Sequence, residues 1–256
     1  MRVLAAAALL AVLAVLVGCG SEPAAEEPTE EPAGLDPAEF SSEVTNPWFP
    51  LEPGTRWTYR ETTEDGEKVL VVVTATSVTR EIANGVTARV VRDTVTLDGE
   101  IIEDTLDWYA QDADGTVWYV GEDTAEFEDG ELANRDGSFE AGVDGAEAGV
   151  IMPATPEVGM KYQQEYYRGE AEDRGEVLAF GQRARVPAGE YDGLLQTADT
   201  TPLEPDVLEH KFYAEGVGLV LTVDKESAGR EELLSVTKVS PAEARSAGTA
   251  PLGTPY

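Results

Sequence analysis

NGVTARVVRDTVTLDG, residues 84–99, is the stretch that decides the fold. Asn84-Gly85 and Asp98-Gly99 are pairs that take positive φ at little cost, so each reads as a tight hairpin turn. Val86 to Leu97 between them is rich in Val and Thr, which suit a pleated, half-buried surface. A strand bounded by two hairpin turns is the repeating unit of an antiparallel meander. The pattern continues in both directions. Towards the N-terminus, Asp65-Gly66 leads into Val69-Leu70-Val71-Val72-Val73-Thr74, preceded by Arg56-Trp57-Thr58-Tyr59-Arg60, whose period of two puts Trp57 and Tyr59 on one side. Towards the C-terminus, Ile101 to Tyr109 is strand-like. Asp112-Ala113-Asp114-Gly115 then turns the chain into Val117-Trp118-Tyr119-Val120. Further strands read at 161–170, 175–186, 191–200, 207–213, 219–224 and 231–239, and no strongly periodic helix appears. The expected class is all-β: a single antiparallel meander forming a strongly curved sheet or a partly open barrel.

The chain begins MRVLAAAALLAVLAVLVGCG, with a basic start, a short apolar core and small residues before Cys19, the only cysteine. These are the requirements of a secretory signal. The apolar run is short of the roughly 20 residues that span a membrane. Leu16-Val17-Gly18-Cys19 resembles the lipobox of bacterial lipoproteins. That resemblance implies cleavage before Cys19, acylation of its sulfur and amino terminus, and an extracytoplasmic protein held to the cell membrane by lipid. Residues 1–18 are thus expected to be signal, and 19–45 a lipidated cysteine with a disordered acidic tether rich in Pro, Glu and Ala. Residues 46–239 form the expected β domain, with 121–160 a long acidic and Gly-rich excursion and 240–256 a flexible tail.

Removing 1–18 leaves 238 of 256 residues, enough for one large β domain. Without Cys19 the mature chain has no thiol for a disulfide or soft metal site. The 50 acidic residues against 18 basic give a formal charge of −32, which repels nucleic acid and anionic headgroups. No nucleic-acid partner and no cofactor are expected, and the acidity reads chiefly as a solvated surface.

Candidate sites are sparse. Asp112 and Asp114 before Gly115 resemble the start of a calcium loop, but Thr116-Val117-Trp118-Tyr119 supplies neither a further acid nor a closing glutamate. A simple turn is the competing reading. His210, the only histidine, shares a face with Leu208 and Phe212, as a packed histidine would, and no Gly-x-Ser-x-Gly motif accompanies it. Trp57, Tyr59, Trp108, Trp118, Phe180 and Phe212 recur through the strands. They either line an apolar cavity for a hydrophobic ligand or fill the core of a curved sheet.

Arg185-Val186-Pro187-Ala188-Gly189-Glu190-Tyr191-Asp192, Phe212-Tyr213-Ala214-Glu215-Gly216-Val217-Gly218-Leu219-Val220 and Leu51-x-Pro53-Gly54-x-x-Trp57-x-Tyr59 resemble segments of uncharacterised bacterial secreted proteins of the DUF3108-like kind. The resemblance spans most of 46–239 and implies antiparallel β structure in the cell envelope, with no catalytic residue to transfer. Three functions follow as expectations: a non-catalytic envelope lipoprotein that binds an apolar ligand or a partner polypeptide; a structural or assembly lipoprotein acting through its surface; or a secreted hydrolase using two carboxylates about 5–10 Å apart.

Overall fold

A computed structural model describes residues 35–63, 66–227 and 229–256. The signal, Cys19, the tether up to residue 34 and Asp65 of the first predicted turn lie outside the described residues. Residues Leu35–Tyr256 form a unit of their own. After a 3-10 turn at Pro37–Glu39 the strands are β1 (Phe40–Ser41), β2 (Thr55–Thr62), β3 (Lys68–Glu81), β4 (Thr87–Leu97), β5 (Glu100–Asp112), β6 (Val117–Glu128), β7 (Glu131–Asn134), β8 (Phe139–Glu140) and β9 (Glu147–Met152). They continue with β10 (Lys161–Gln163), β11 (Glu165–Tyr166), β12 (Arg174–Val186), β13 (Gly189–Thr200), β14 (Leu208–Ala214), β15 (Gly218–Asp224) and β16 (Arg230–Lys238), and one helix, α1 (Pro241–Ala247), follows.

The hairpin turns form as their residues dictate: Asp98 and Gly99 both take positive φ (53° and 90°), the requirement of a twist-matched two-residue turn. All pairings are antiparallel, in the order β10-β12-β13-β14-β15-β16-β2-β3-β4-β5-β6-β9-β11. The two ends of this path, β10 and β11, are separated in the chain by Gln164 alone. One short stretch therefore pairs with β12 on one side and β9 on the other, and the sheet curls into a nearly closed barrel with a single seam. Gly149 makes the seam possible: a Cβ there would lie 2.3 Å from the carbonyl carbon of Gln164. Gly149→Ala is expected to cost about 2 kcal/mol and to lower Tm by roughly 4–8 °C in a thermal melt, because backbone cannot yield as a side-chain tip does.

One barrel end is plugged. Residues 44–51 cross it, bringing buried Val44 and Leu51 into the core. Asn46 Nδ2 donates to the carbonyls of Gly115 (3.0 Å) and Pro153 (3.1 Å), and Gly216 N donates to the carbonyl of Pro47 (2.7 Å). The core at this end contains Trp57, Tyr59, Val71, Val117, Leu195 and Tyr213. A second apolar cluster, around Val90, Trp108, Ala110 and Val120, lies on the outer face of β4–β6, under Leu35, Phe40 and Ala141.

Three predicted boundaries are corrected. Residues 35–45 belong to the fold rather than the tether. Asp36 caps the 3-10 turn, β1 pairs with β5 and Val44 is buried. Leu35 and Phe40 pack on the outer cluster and Val44 in the core, too few apolar residues for composition to reveal the segment. Residues 121–128 are the second half of β6, not an excursion, and three short strands, β7, β8 and β9, interrupt the rest. The tail is not loose. α1 carries a capping box between Ser240 and Glu243, and the chain beyond it is strapped across the outer face of β3–β5.

Candidate functional site

Cross-strand partners in an antiparallel register share a face. The face of Trp57, Tyr59, Val71 and Val91 points into the barrel, while Arg92, Thr94 and Asp104 point outward under the strap. Along the inward face, away from the plug, the side chains change from apolar to acidic. Glu231 lies opposite Glu61, Asp93 opposite Thr105, Asp107 opposite Glu122, and Asp199 opposite Glu209. Glu103 continues the parity of Asp107, and Glu165 enters from β11 at the seam. Asp173, just before β12, faces Asp199 and Glu209.

Only one cation is found among these groups in the described residues. Lys211 Nζ lies 2.8 Å from Asp199 and 3.5 Å from Glu209. Burial pulls the Lys211 ammonium down, but Asp199, Glu209 and Tyr213 outweigh it and hold it well above its ordinary value. The remaining acids are raised. Burial, then Glu126 and Asp107, push Glu103 up to about 7. Burial, then Glu61, push Glu231 up to about 7 against the pull of Lys211. Glu165 reaches about 8 through burial, then Asp173 and Asp107. Burial raises Asp107 to about 6 against a hydrogen bond from Tyr119.

Burial also raises Asp93 well above the usual range, helped by Asp107, Glu231, Glu103 and Asp104. Its Oδ1 is buried and has no hydrogen-bond partner. A buried acceptor left without a donor is costly, and the charged groups acting on Asp93 are these acids. Asp107 and Asp199 are buried, and the other acids are half-buried. This acidic half of the interior is the candidate site.

Glu122 also lines an open cleft of about 290 Å³ with Trp108, Phe139, Arg80 and Tyr167. The other acids on its wall include Glu140, ion-paired to Arg80 at 2.7 Å, and Asp123, ion-paired to Arg135. Arg80 lies over the Trp108 ring, 3.9 Å from its centroid. The remaining acids on the wall, Glu122 and Asp144, form no ion pair among the described residues.

The predicted cavity aromatics are divided by the sheet. Trp57 and Tyr59 are inside, in the apolar half, donating to the carbonyls of Val217 (2.7 Å) and Leu219 (3.0 Å), and Phe212 packs on the same core. Trp108 and Trp118 are in the outer cluster, and Phe180 is 42% exposed against Trp48. They do not line one cavity, because Trp108 and Trp118 have the outward parity of β5 and β6. Asp112 is committed to its turn: Oδ1 accepts from Asp114 N and Thr116 N, and Oδ2 from Trp118 Nε1. Asp114 is exposed, and no group of three metal-ligating side chains forms among the described residues. His210 Nδ1 is 2.9 Å from Gln196 Nε2, and burial, then Lys225, lower its pKa.

The inward acids were the residues missed. Their signal in β5 is the alternation Glu103-x-Thr105-x-Asp107, in phase with Tyr109 rather than with Trp108; in β6 the alternation Glu122-x-Thr124-x-Glu126 is out of phase with Tyr119, and a bulge between them brings it to the inward face.

No family model matches the chain, and no curated protein matches it. Solved structures similar to it include a Bacteroides fragilis protein described as exported and of YmcC-like fold. It shares 16% identity at a TM-score of 0.43, over 75% of this chain and 99% of that one. A Parabacteroides distasonis protein described as a lipoprotein shares 15% identity at 0.40, over 74% and 98%. A β-barrel-like DUF1849 protein from Brucella abortus shares 12% identity at 0.37, over 73% and 98%.

Proposed function

We propose that this is an envelope lipoprotein, exported and acylated on Cys19, whose barrel binds a cationic ligand of the alkylammonium or polyamine class in its acidic half. The observation that carries the reading is the excess of inward carboxyls over Lys211, with Asp93 Oδ1 left without a partner. An ammonium group supplies further positive charge to these acids and an N–H donor to Asp93 Oδ1. Tyr109 and Tyr119, stacked at 4.8 Å, provide ring faces beside Asp107 and Glu122. A fatty acid, the obvious ligand for an aromatic-lined barrel, would set its carboxylate among like charges. The resemblance to DUF3108-like envelope proteins supports the same setting. A surface assembly role finds less support, since the exposed apolar side chains, among them Leu70, Leu132, Val158 and Phe180, lie on different elements.

Spermidine is the probe. At a concentration about 100 times its Kd it is expected to raise Tm by roughly 5–10 °C at fixed ionic strength, while palmitate leaves Tm unchanged. Stabilisation by palmitate and none by spermidine would reverse the assignment.

A further inference from the structure

Tyr119 Oη lies 2.6 Å from Asp107 Oδ1 and 2.7 Å from Glu122 Oε2. A phenol has one proton and can donate to only one of these oxygens. The second contact, between a phenol lone pair and a carboxylate anion, would be repulsive. A second proton on Asp107 or Glu122 turns it into a donor and satisfies the geometry. Among the described residues no cation offers another solution. The ionisable groups facing the pair are Asp93 from β4, Tyr109 and Glu103 from β5, and Glu165 from β11. Lys211 lies on Asp199 and Glu209, and Arg80 on the cleft wall is held by Glu140.

We propose that Asp107, Tyr119 and Glu122 form a proton-holding site that stays loaded at neutral pH and exchanges its proton for a bound cation. The exchange rests on the cation-binding reading; the proton itself does not. Glu122 supplies the route, since it lines both the acidic interior and the open cleft. The balance is simple. One positive charge enters as ammonium, one proton leaves for solvent, and the remaining proton stays on the phenol between two carboxylates. Proximity of the new cation favours the ionised carboxylates and drives the release.

Two measurements on the purified protein separate the claims. Infrared difference spectra, wild type against Glu122→Gln, read protonated carboxyl directly. A carboxylic C=O band is expected to persist at pH 7, well above the ordinary carboxylate range. Tyr119→Phe, which keeps the ring and removes the bridging oxygen, is expected to shift that band. If the difference spectrum shows no protonated carboxyl at pH 7, no proton is held and the proposal fails. Calorimetry with spermidine in phosphate and in Tris, buffers of different ionisation enthalpy, then reads the exchange. Close to one proton is expected to leave per ligand in the wild type and markedly less in Glu122→Gln. Binding without proton release would overturn the exchange. Absence of binding would overturn the cation reading while the infrared result still decides the proton.

Discussion

Arg92→Ala is expected to destabilise the protein by about 3–5 kcal/mol and to lower Tm by about 10 °C or more. The Arg92 and Asp104 side chains are both fully buried, on the outer face of the sheet, beneath the C-terminal strap. Arg92 Nε donates to Asp104 Oδ1 at 2.8 Å, and its other nitrogens donate to the carbonyls of Ala247 (3.2 Å), Ala250 (2.7 Å) and Pro251 (3.1 Å). Asp104 also accepts from Thr94 Oγ1 and from Gly253 N. The Tyr256 ring covers the guanidinium at 4.6 Å and its hydroxyl meets Thr94. Removing the cation leaves Asp104 charged, buried and unpaired, and strips the strap carbonyls of their donor. That penalty, rather than the worth of the ion pair, sets the size of the effect. Arg92→Met with Asp104→Leu is expected to recover part of the stability but not the strap, so carboxypeptidase should trim both variants faster than the wild type. A single variant melting within about 2 °C of the wild type would show that the strap is not held in this way.

Thermal stability is expected to fall as pH rises from 5 to 8.5. Glu103, Asp107, Glu165 and Glu231 have folded values of about 7, 6, 8 and 7, all above the ordinary carboxylate range. A group raised on folding stabilises fully below its unfolded value, and that contribution is lost as pH climbs through the folded one. The loss therefore begins above the ordinary carboxylate range and is complete by about pH 8. Asp224, Glu232 and Glu243 are lowered and act in the opposite sense, losing their contribution only as pH falls below the ordinary range. His210, lowered by burial, loses its contribution as pH falls below its ordinary value, and only weakly offsets the main trend. Each unit of displacement is worth about 1.4 kcal/mol, but the groups interact and do not add. A net loss of about 3 kcal/mol, or roughly 6–12 °C in Tm, is the expected scale. Melts followed by circular dichroism at constant ionic strength test it, and Glu103→Gln with Glu231→Gln should flatten the profile. A Tm constant or rising over this range would contradict the acidic interior.

Much of the barrel is legible in the chain because its turns are local. Asn84-Gly85 and Asp98-Gly99 announce their hairpins in two residues each, and the alternation of Trp57 and Tyr59 gives the inward parity of β2. The seam is not legible: Gly149 meets Gln164 only after the sheet has closed. Nor is the strap, because Arg92 reads backbone carbonyls, which any sequence would supply. The candidate site was hidden by its own composition. In a chain with 50 acidic residues, Asp93 and Glu103 look like surface, and only register shows that they share the face of Val91 and Asp107. The acidity is thus partly an interior property, and the aromatics are divided between the two faces of the sheet.

The central claim is that the acidic half of the barrel binds cations, and calorimetric titration with spermidine at pH 7 tests it most directly. The comparison is between the wild type, Glu103→Gln with Glu231→Gln inside the barrel, and Glu67→Gln with Glu128→Gln on the exposed surface. Binding weakened about tenfold or more by the interior pair, and left nearly unchanged by the surface pair, is the predicted result. Equal affinity in all three proteins, or no binding to the wild type, would contradict it.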